Sequence, residues 1–276
     1  MRLTFSNLII PVVLMVGSVA NAQVHFGATT AYNATFVLDK GLSDDPRYNS
    51  TYTYQTSPIG FNFGVDIGKK FGLQLESILS NQGQIYDVIN TAKEIAGSRK
   101  IDLQYIHIPL MMKFMGSGDA AVRGNFNFGP QLSILNKGVE SMVTNAGNFQ
   151  IPEGVDFATI KQDFPSATDN GNGTYNIPQN IPSRDILKKE LDDFKNTEFQ
   201  LAAAFGLDID LSRHLFLTTQ IRANYSLTDM RNKDIINALQ AGDYSDIFGG
   251  RANFIVGVQL GLHYYFGTLR SFGSRK

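Results

Sequence analysis

The feature that most constrains this chain is a strict alternation of apolar and polar residues, sustained over roughly 10 to 15 residues at a time. It recurs at 24–38, 59–68, 71–83, 101–114, 122–136, 197–211, 215–229 and 251–266. A period of two sends successive side chains to opposite faces of a strand, so each stretch predicts a β-strand with one apolar and one polar face. In the sixth, Phe199, Leu201, Ala203, Phe205, Leu207, Ile209 and Leu211 share a face, and Glu198, Gln200, Asp208 and Asp210 share the other. In the second, Ile59, Phe61, Phe63, Val65 and Ile67 oppose Gly60, Asn62, Gly64, Asp66 and Gly68. The predicted class is all-β and antiparallel.

Two features decide what the apolar faces touch. Strands of soluble proteins average about five or six residues, whereas a tilted strand needs about 9 to 11 to cross hydrocarbon. These stretches are long enough. Their polar faces carry glycine, asparagine, glutamine, serine and threonine rather than dense lysine and glutamate, and charged residues make up only 18% of the chain. Such faces suit a crowded interior better than bulk water. An eight-stranded up-and-down transmembrane barrel follows, closed so that no backbone group is left unpaired in lipid.

Connection lengths orient the barrel. Tight turns are predicted at 69–70, 115–121 and 212–214, and long connections at 39–57, 84–99, 138–196 and 230–250. Short turns mark the periplasmic side and long loops the extracellular side. The outward aromatics Phe71, Phe114, Tyr264 and Phe266 are expected near the short turns, and Phe61, Phe199, Tyr225 and Phe254 toward the long loops. Within 138–196, the helical spacing of Ile186, Leu187, Leu191 and Phe194 behind an N-cap at Ser183 predicts a short amphipathic helix over 184–195.

The ends read as processing and tail. Arg2, the apolar run Leu8–Val16 and the small residues Ala20-Asn21-Ala22 form a signal peptide over 1–22, leaving a barrel over 23–267. Residues 268–276 form a basic periplasmic tail. With no cysteine, disulfides, thiolate chemistry and lipid attachment at a cysteine are excluded. A net charge of -1 gives no field that would recruit nucleic acid.

Eight strands enclose an interior that side chains can fill, which argues against a general porin. The inward ions are Asp66, Glu76, Asp208 and Asp210, with Lys113, Arg123 and Arg222 as partners. Pairing among them is expected, because unpaired buried charges are costly. Their expected role is structural.

The stretch IDLQYIHIPLMMKF, residues 101–114, carries a resemblance. Tyr105, Ile106, Ile108, Pro109, Leu110 and Lys113 resemble the Y-[IL]-E-[IL]-P-L-x-x-K signature of the PorT-like outer-membrane β-barrel proteins of the Bacteroidetes, small barrels of OmpA/OmpX type. His107 stands where that signature has glutamate. The resemblance implies an eight-stranded barrel in a Gram-negative outer membrane, often without known activity, and its namesake branch serves protein secretion. Lacking a donor, Pro109 is expected to mark a bulge or an inward kink.

Other motifs argue for little chemistry. His25, His214 and His263 fall near the short turns and His107 in mid-strand, so no Ser/His/acid set lies among the long loops, and no enzyme is expected. SATDNGNGTYN lacks the ligand pattern of a calcium loop and reads as a glycine-rich turn. No cofactor or metal is expected. The expected partners are outer-membrane lipid, the barrel-assembly machinery that reads the terminal VQLGLHYYF strand, and a protein bound through the extracellular loops. The expected function is structural or binding. An accessory role in secretion and a loop-sited lipid or peptide hydrolase are the alternatives.

Overall fold

The computed structural model describes residues 22–116 and 120–269. All of the expected signal peptide but its last residue, Ala22, and all but the first two residues of the expected tail lie outside these.

Eight strands form the wall: β1 (Ala22–Asp39), β3 (Thr53–Ile67), β4 (Phe71–Ile89), β5 (Ile95–Met115), β6 (Val122–Thr144), β11 (Thr197–Asp210), β12 (Leu215–Ser226) and β13 (Arg251–Tyr265). Each pairs antiparallel with the next, and β13 returns to β1 over an unbroken register from His25↔Tyr265 to Asp39↔Arg251. The ring is therefore closed, and every wall strand has two neighbours. Short connections at 68–70 and 211–214 lie at the end where the chain enters and leaves the ring, with Gly68 taking the left-handed backbone (φ 68°) that its turn requires.

The smaller elements all lie at the other end: α1 (Lys40–Asp44), β2 (Tyr48–Thr51), β7 (Gly147–Gln150), α2 (Phe157–Asp163), β8 (Thr168–Asp169), β9 (Thr174–Ile177), β10 (Ile181–Lys188) and α3 (Lys233–Ala241). Strands β7, β9 and β8 make a separate three-stranded sheet.

Outward residues form the apolar band. Phe126, Phe205, Ile221, Val258 and Tyr32 are successive register partners around the wall. Phe205, Ile221 and Val258 remain 65%, 61% and 52% exposed to the surroundings. Such a continuous row is what a lipid-facing wall requires. Aromatics ring both edges. Tyr32 stacks on Tyr54 at 5.8 Å, and Phe36 meets Tyr52 and Phe254 at 5.9 Å on the loop side. Phe114 meets Phe71 at 5.6 Å and Tyr264 meets Phe266 at 5.2 Å near the short turns. Phe61, expected toward the loops, instead stacks on Phe26 at 6.1 Å in the short-turn half.

Four strands, β3 to β6, run further than the alternation suggests. The predicted long connection 84–99 is a hairpin: β4 continues to Ile89 and β5 begins at Ile95. The reason is visible on β5. From Ile106 to Phe114 its outward residues are apolar, but above Ile106 they are Gln104 and Asp102, while the inward ones become Tyr105, Leu103 and Ile101. The strand leaves lipid, and its two faces exchange character. At this level Gln104 donates to Asn81 (2.9 Å) and Asn136 donates to Gln104 (2.6 Å), a polar ladder on the outer surface one row above Leu79, Ile106 and Ile134.

Two local expectations are corrected. Residues 184–195 do not form a helix. The extended β6 offers an open edge at 139–144, and β10 pairs with it; a single 3-10 turn at Lys189–Leu191 follows. Leu187 and Phe194 are buried, whereas Leu191 is exposed, so the four apolar residues do not share one stripe. Pro109 makes no bulge, because the ladder keeps one register on both sides of it, from His107↔Ile78 to Leu110↔Leu75; the register shifts on β5 lie at Gln104/Tyr105 and between Ile95 and Gly97.

Candidate functional site

All seven ionic residues singled out in the sequence face the lumen. Lys113 Nζ lies 2.7 Å from Asp208 Oδ2, Arg123 makes a two-pronged contact with Asp210 at 2.7 and 2.8 Å, and Arg222 Nη1 lies 2.5 Å from Glu76 Oε2. Asp66 stands 3.8 Å from His25 Nε2. Side-chain amides join the pairs. Asn125 donates to Asp208, Asn127 to Asn125 and Gln220, and Gln220 to Gln259, whose oxygen also accepts from Arg222. Of the signature residues, Tyr105 and Lys113 point into the same interior, whereas Ile106, Ile108 and Leu110 face outward. Tyr105 donates to the Glu198 carboxylate, which also accepts from Ser226 (2.8 Å) and Asn253 (3.1 Å).

Rings fill the short-turn half. His263 stacks on Phe216 at 4.4 Å, and His25 meets His263 at 5.5 Å. Gly64 and Gly27, their register partners, make the room: a Cβ on Gly64 would lie 2.1 Å from His25 Nε2, and one on Gly27 2.6 Å from His263 Nδ1. Cavities inside the wall of ≈ 20, ≈ 20 and ≈ 10 Å³ each hold about one water. In mid-lumen His107 Nδ1 lies 2.8 Å from Ser133 Oγ, but its Nε2 faces Gln82 at 2.7 Å rather than an acid, and both His107 and Ser133 are buried. That pair has neither an orienting carboxylate nor access for a substrate. Among the described residues no group of three or more histidine and acidic side chains is arranged to hold a metal.

The loop end carries what the sequence did not disclose. The connections fold into one cap with its own apolar core: Tyr86, Ile101, Leu103, Tyr105, Leu135 and Met142 from the extended strands meet Phe149, Ile160, Phe164, Tyr175, Ile177, Leu187, Phe194 and Met230 from the loops. A second set of ions ties the cap to the rim. Glu140 accepts from Arg99 Nε and Arg251 Nη1, both at 2.5 Å, while Arg251 Nε reaches Asp39 at 2.5 Å. Arg99 also grips both oxygens of Asp246 at 2.8 Å. Arg47 pairs with Asp45 (2.7 Å) and donates to the Ser245 carbonyl (2.6 Å). Arg231 holds Asp229 and the Gly249 carbonyl.

Burial would raise the Asp246 carboxyl, but the charge of Arg99, its hydrogen bonds and the nearby Arg47 outweigh this and hold it at about 2. Asp229 is lowered in the same way: burial opposes, and Arg231 prevails. Partners separated by as many as 212 residues, as Asp39 and Arg251 are, cannot be found by strand parity alone. The only sequence signal was the inward parity of Arg99, Glu140 and Arg251 once their strands are drawn to full length.

Above these ions opens a cleft of ≈ 160 Å³, lined by Tyr48, Met142, Phe164 and Ile186 and by Arg99, Arg184, Asp163, Asp185, Tyr244 and Asp246. It is far roomier than the lumen cavities and opens on the extracellular side, which makes it the candidate site.

The structure is similar to several solved barrels. It matches OprG from Pseudomonas aeruginosa at 11% identity over 89% of this chain and 95% of that one, TM-score 0.37. It matches the attachment invasion locus protein Ail of Yersinia pestis, solved with a heparin analogue, at 10% identity over 88% and 99%, TM-score 0.37. It matches the outer membrane protease OmpT of Escherichia coli at 10% over 90% and 98%, TM-score 0.39. Likeness at this level says nothing of ligand or activity. No curated protein sequence matches significantly. The family described as outer membrane protein beta-barrel domain matches residues 19–232. With that match over most of the chain and the closed, apolar-walled ring, this protein belongs to the outer membrane protein beta-barrel domain family and resides in the bacterial outer membrane.

Proposed function

We propose that the protein is an outer-membrane scaffold whose sealed barrel holds a folded extracellular cap, and that the cap is the part that binds. The observation that carries this reading is the cap's shared core, in which segments from 149 to 194 and Met230 pack against the extended β4, β5 and β6. Loops that only joined strands would need no buried core of their own, and the ordering of so many residues is entropically costly unless burial offsets it. The filled lumen favours binding over passage of solutes. The buried, acid-free position of His107 and Ser133 favours a non-enzymatic role over a hydrolase.

Within the family, the Tyr105 to Lys113 signature supports placement among the PorT-like barrels of the Bacteroidetes, and the same residues support a second reading, an accessory subunit of protein secretion. Photo-crosslinking residues placed at Tyr52, Leu191 and Phe248, exposed apolar positions in the loop half, test both in intact cells. A discrete protein adduct at one or more of these, absent from a control at the lipid-facing Phe205, supports the binding role. Adducts with secretion components select the second reading. Adducts at none of the three positions would refute the proposal.

A further inference from the structure

We infer that the cleft on the cap receives a single neutral sugar ring, such as the terminal unit of an extracellular glycan; this rests on the reading of the cap as the binding part. Most polar groups around the cleft are spent on one another: Arg99 directs four of its five N–H groups to Glu140, Asp246 and Tyr48, and both Asp246 oxygens are taken by Arg99. Four groups keep capacity to spare. Arg184 has no ion pair or side-chain hydrogen bond among the described residues; its guanidinium is held 4.9 Å over the face of Phe164, which leaves its N–H edge free. The Tyr244 hydroxyl makes no hydrogen bond among the described residues. Asp163 uses one oxygen on the Ser245 N–H (2.9 Å) and, among the described residues, leaves the other free. Among the described residues Asp185 is engaged only by Lys188 at the half-exposed margin, at 2.9 Å.

A donor fork, a phenol and two carboxylates thus converge on a space walled by Tyr48, Phe164, Met142 and Ile186. Its ≈ 160 Å³ compares with the cavity of about 150 Å³ that accommodates one benzene ring, so it takes one ring and not a drug-sized molecule. Charge favours a neutral ligand: Asp246 is paired with Arg99 and Asp185 with Lys188, which leaves Asp163 against Arg184 in the lining. A purely apolar ring would leave the spare donors and acceptors dry and unpaired, which is costly. A ring that carries hydroxyl groups on its edge and C–H groups on its face answers both demands. Carboxylates accept from its hydroxyls, Arg184 and Tyr244 donate to its oxygens, and the side chains of Met142 and Ile186 meet its apolar face.

The full chain folded in a sugar-free zwitterionic detergent tests this by saturation-transfer NMR and titration. The probes are methyl glucoside, methyl galactoside and N-acetylglucosamine, with phenol and inorganic sulfate as comparators. At least one of the three sugars is expected to bind saturably and more tightly than either comparator. Arg184→Ala and Tyr244→Ala should each weaken it about tenfold, as loss of a buried polar contact does. Should either variant fail to fold, Tyr244→Phe and Asp185→Asn, which preserve shape, are expected to weaken it several-fold. Absence of saturable sugar binding, tighter binding of sulfate or phenol, or sugar binding indifferent to these substitutions overturns the inference. Cap adducts in cells that persist without sugar binding would sink this inference while leaving the binding role of the cap standing.

Discussion

Glu140 offers the sharpest test of how the cap is held. It is fully buried and bridges Arg99 and Arg251, each at 2.5 Å, so it joins β5, β6 and β13 above the membrane. Removing one partner of a buried ion pair costs about 3 to 5 kcal/mol, because the other charge is left without compensation. Here neither guanidinium is wholly abandoned: Arg99 keeps Asp246 at 2.8 Å and Arg251 keeps Asp39 at 2.5 Å. Glu140→Ala should therefore fall at the low end, about 3 kcal/mol. Glu140→Gln retains the shape and one acceptor and loses the charge-assisted part, about 2 kcal/mol. The readout is amide hydrogen exchange along β10, whose pairing with β6 at 139–144 opens when the cap lifts. The opening free energy should drop in the order Gln, then Ala, with the barrel's gel mobility unchanged. A loss below about 0.5 kcal/mol for the alanine variant would refute the idea that this carboxylate pins the cap.

Three further outcomes follow. Because the folded Asp246 carboxyl sits at about 2, below its value of about 3.9 in an opened chain, its contribution is complete above that higher value and disappears as pH falls toward 2; the cap should open in this window, and Asp246→Asn should flatten the acid limb of an exchange-versus-pH profile. Arg222→Leu strands the Glu76 carboxylate in the lumen and should lower the temperature of the heat-dependent gel shift, at a cost of about 3 kcal/mol; an unchanged transition would deny the pair a structural role. In planar bilayers the purified protein should give no steady conductance, and ohmic steps of porin size would contradict a lumen whose cavities hold ≈ 20 and ≈ 10 Å³.

The barrel was legible because one rule, side-chain parity, applies along every wall strand and tells lumen from lipid without knowledge of any partner. Parity alone turned Asp66, Glu76, Lys113, Arg123, Asp208, Asp210 and Arg222 inward. It failed where the surroundings of the strand change. Above Ile106 the outer face of β5 meets water and the inner face meets the cap core, so Asp102 and Gln104 point out while Ile101 and Leu103 point in. Read with the lipid rule, that reversal looks like the end of a strand. The helix expected over 184–195 gave way for a related reason. Local spacing favoured it, but the free edge of the unrecognised β6 extension supplied ladder hydrogen bonds that an isolated short helix could not match. The cap ions were hidden because their partners, such as Arg47 and Ser245 or Arg99 and Asp246, meet only after distant loops have packed.

Lipid surrounds the outward row formed by Phe205, Ile221 and Val258. Spin labels placed singly at these positions in the bilayer-reconstituted protein measure it by collision with dissolved oxygen and with a water-soluble nickel complex. High oxygen and low nickel accessibility at all three, and the reverse at a label on Asp102, is the predicted result. Ready access of nickel to the three, or shielding from both reagents, would mean that water or packed protein covers the wall.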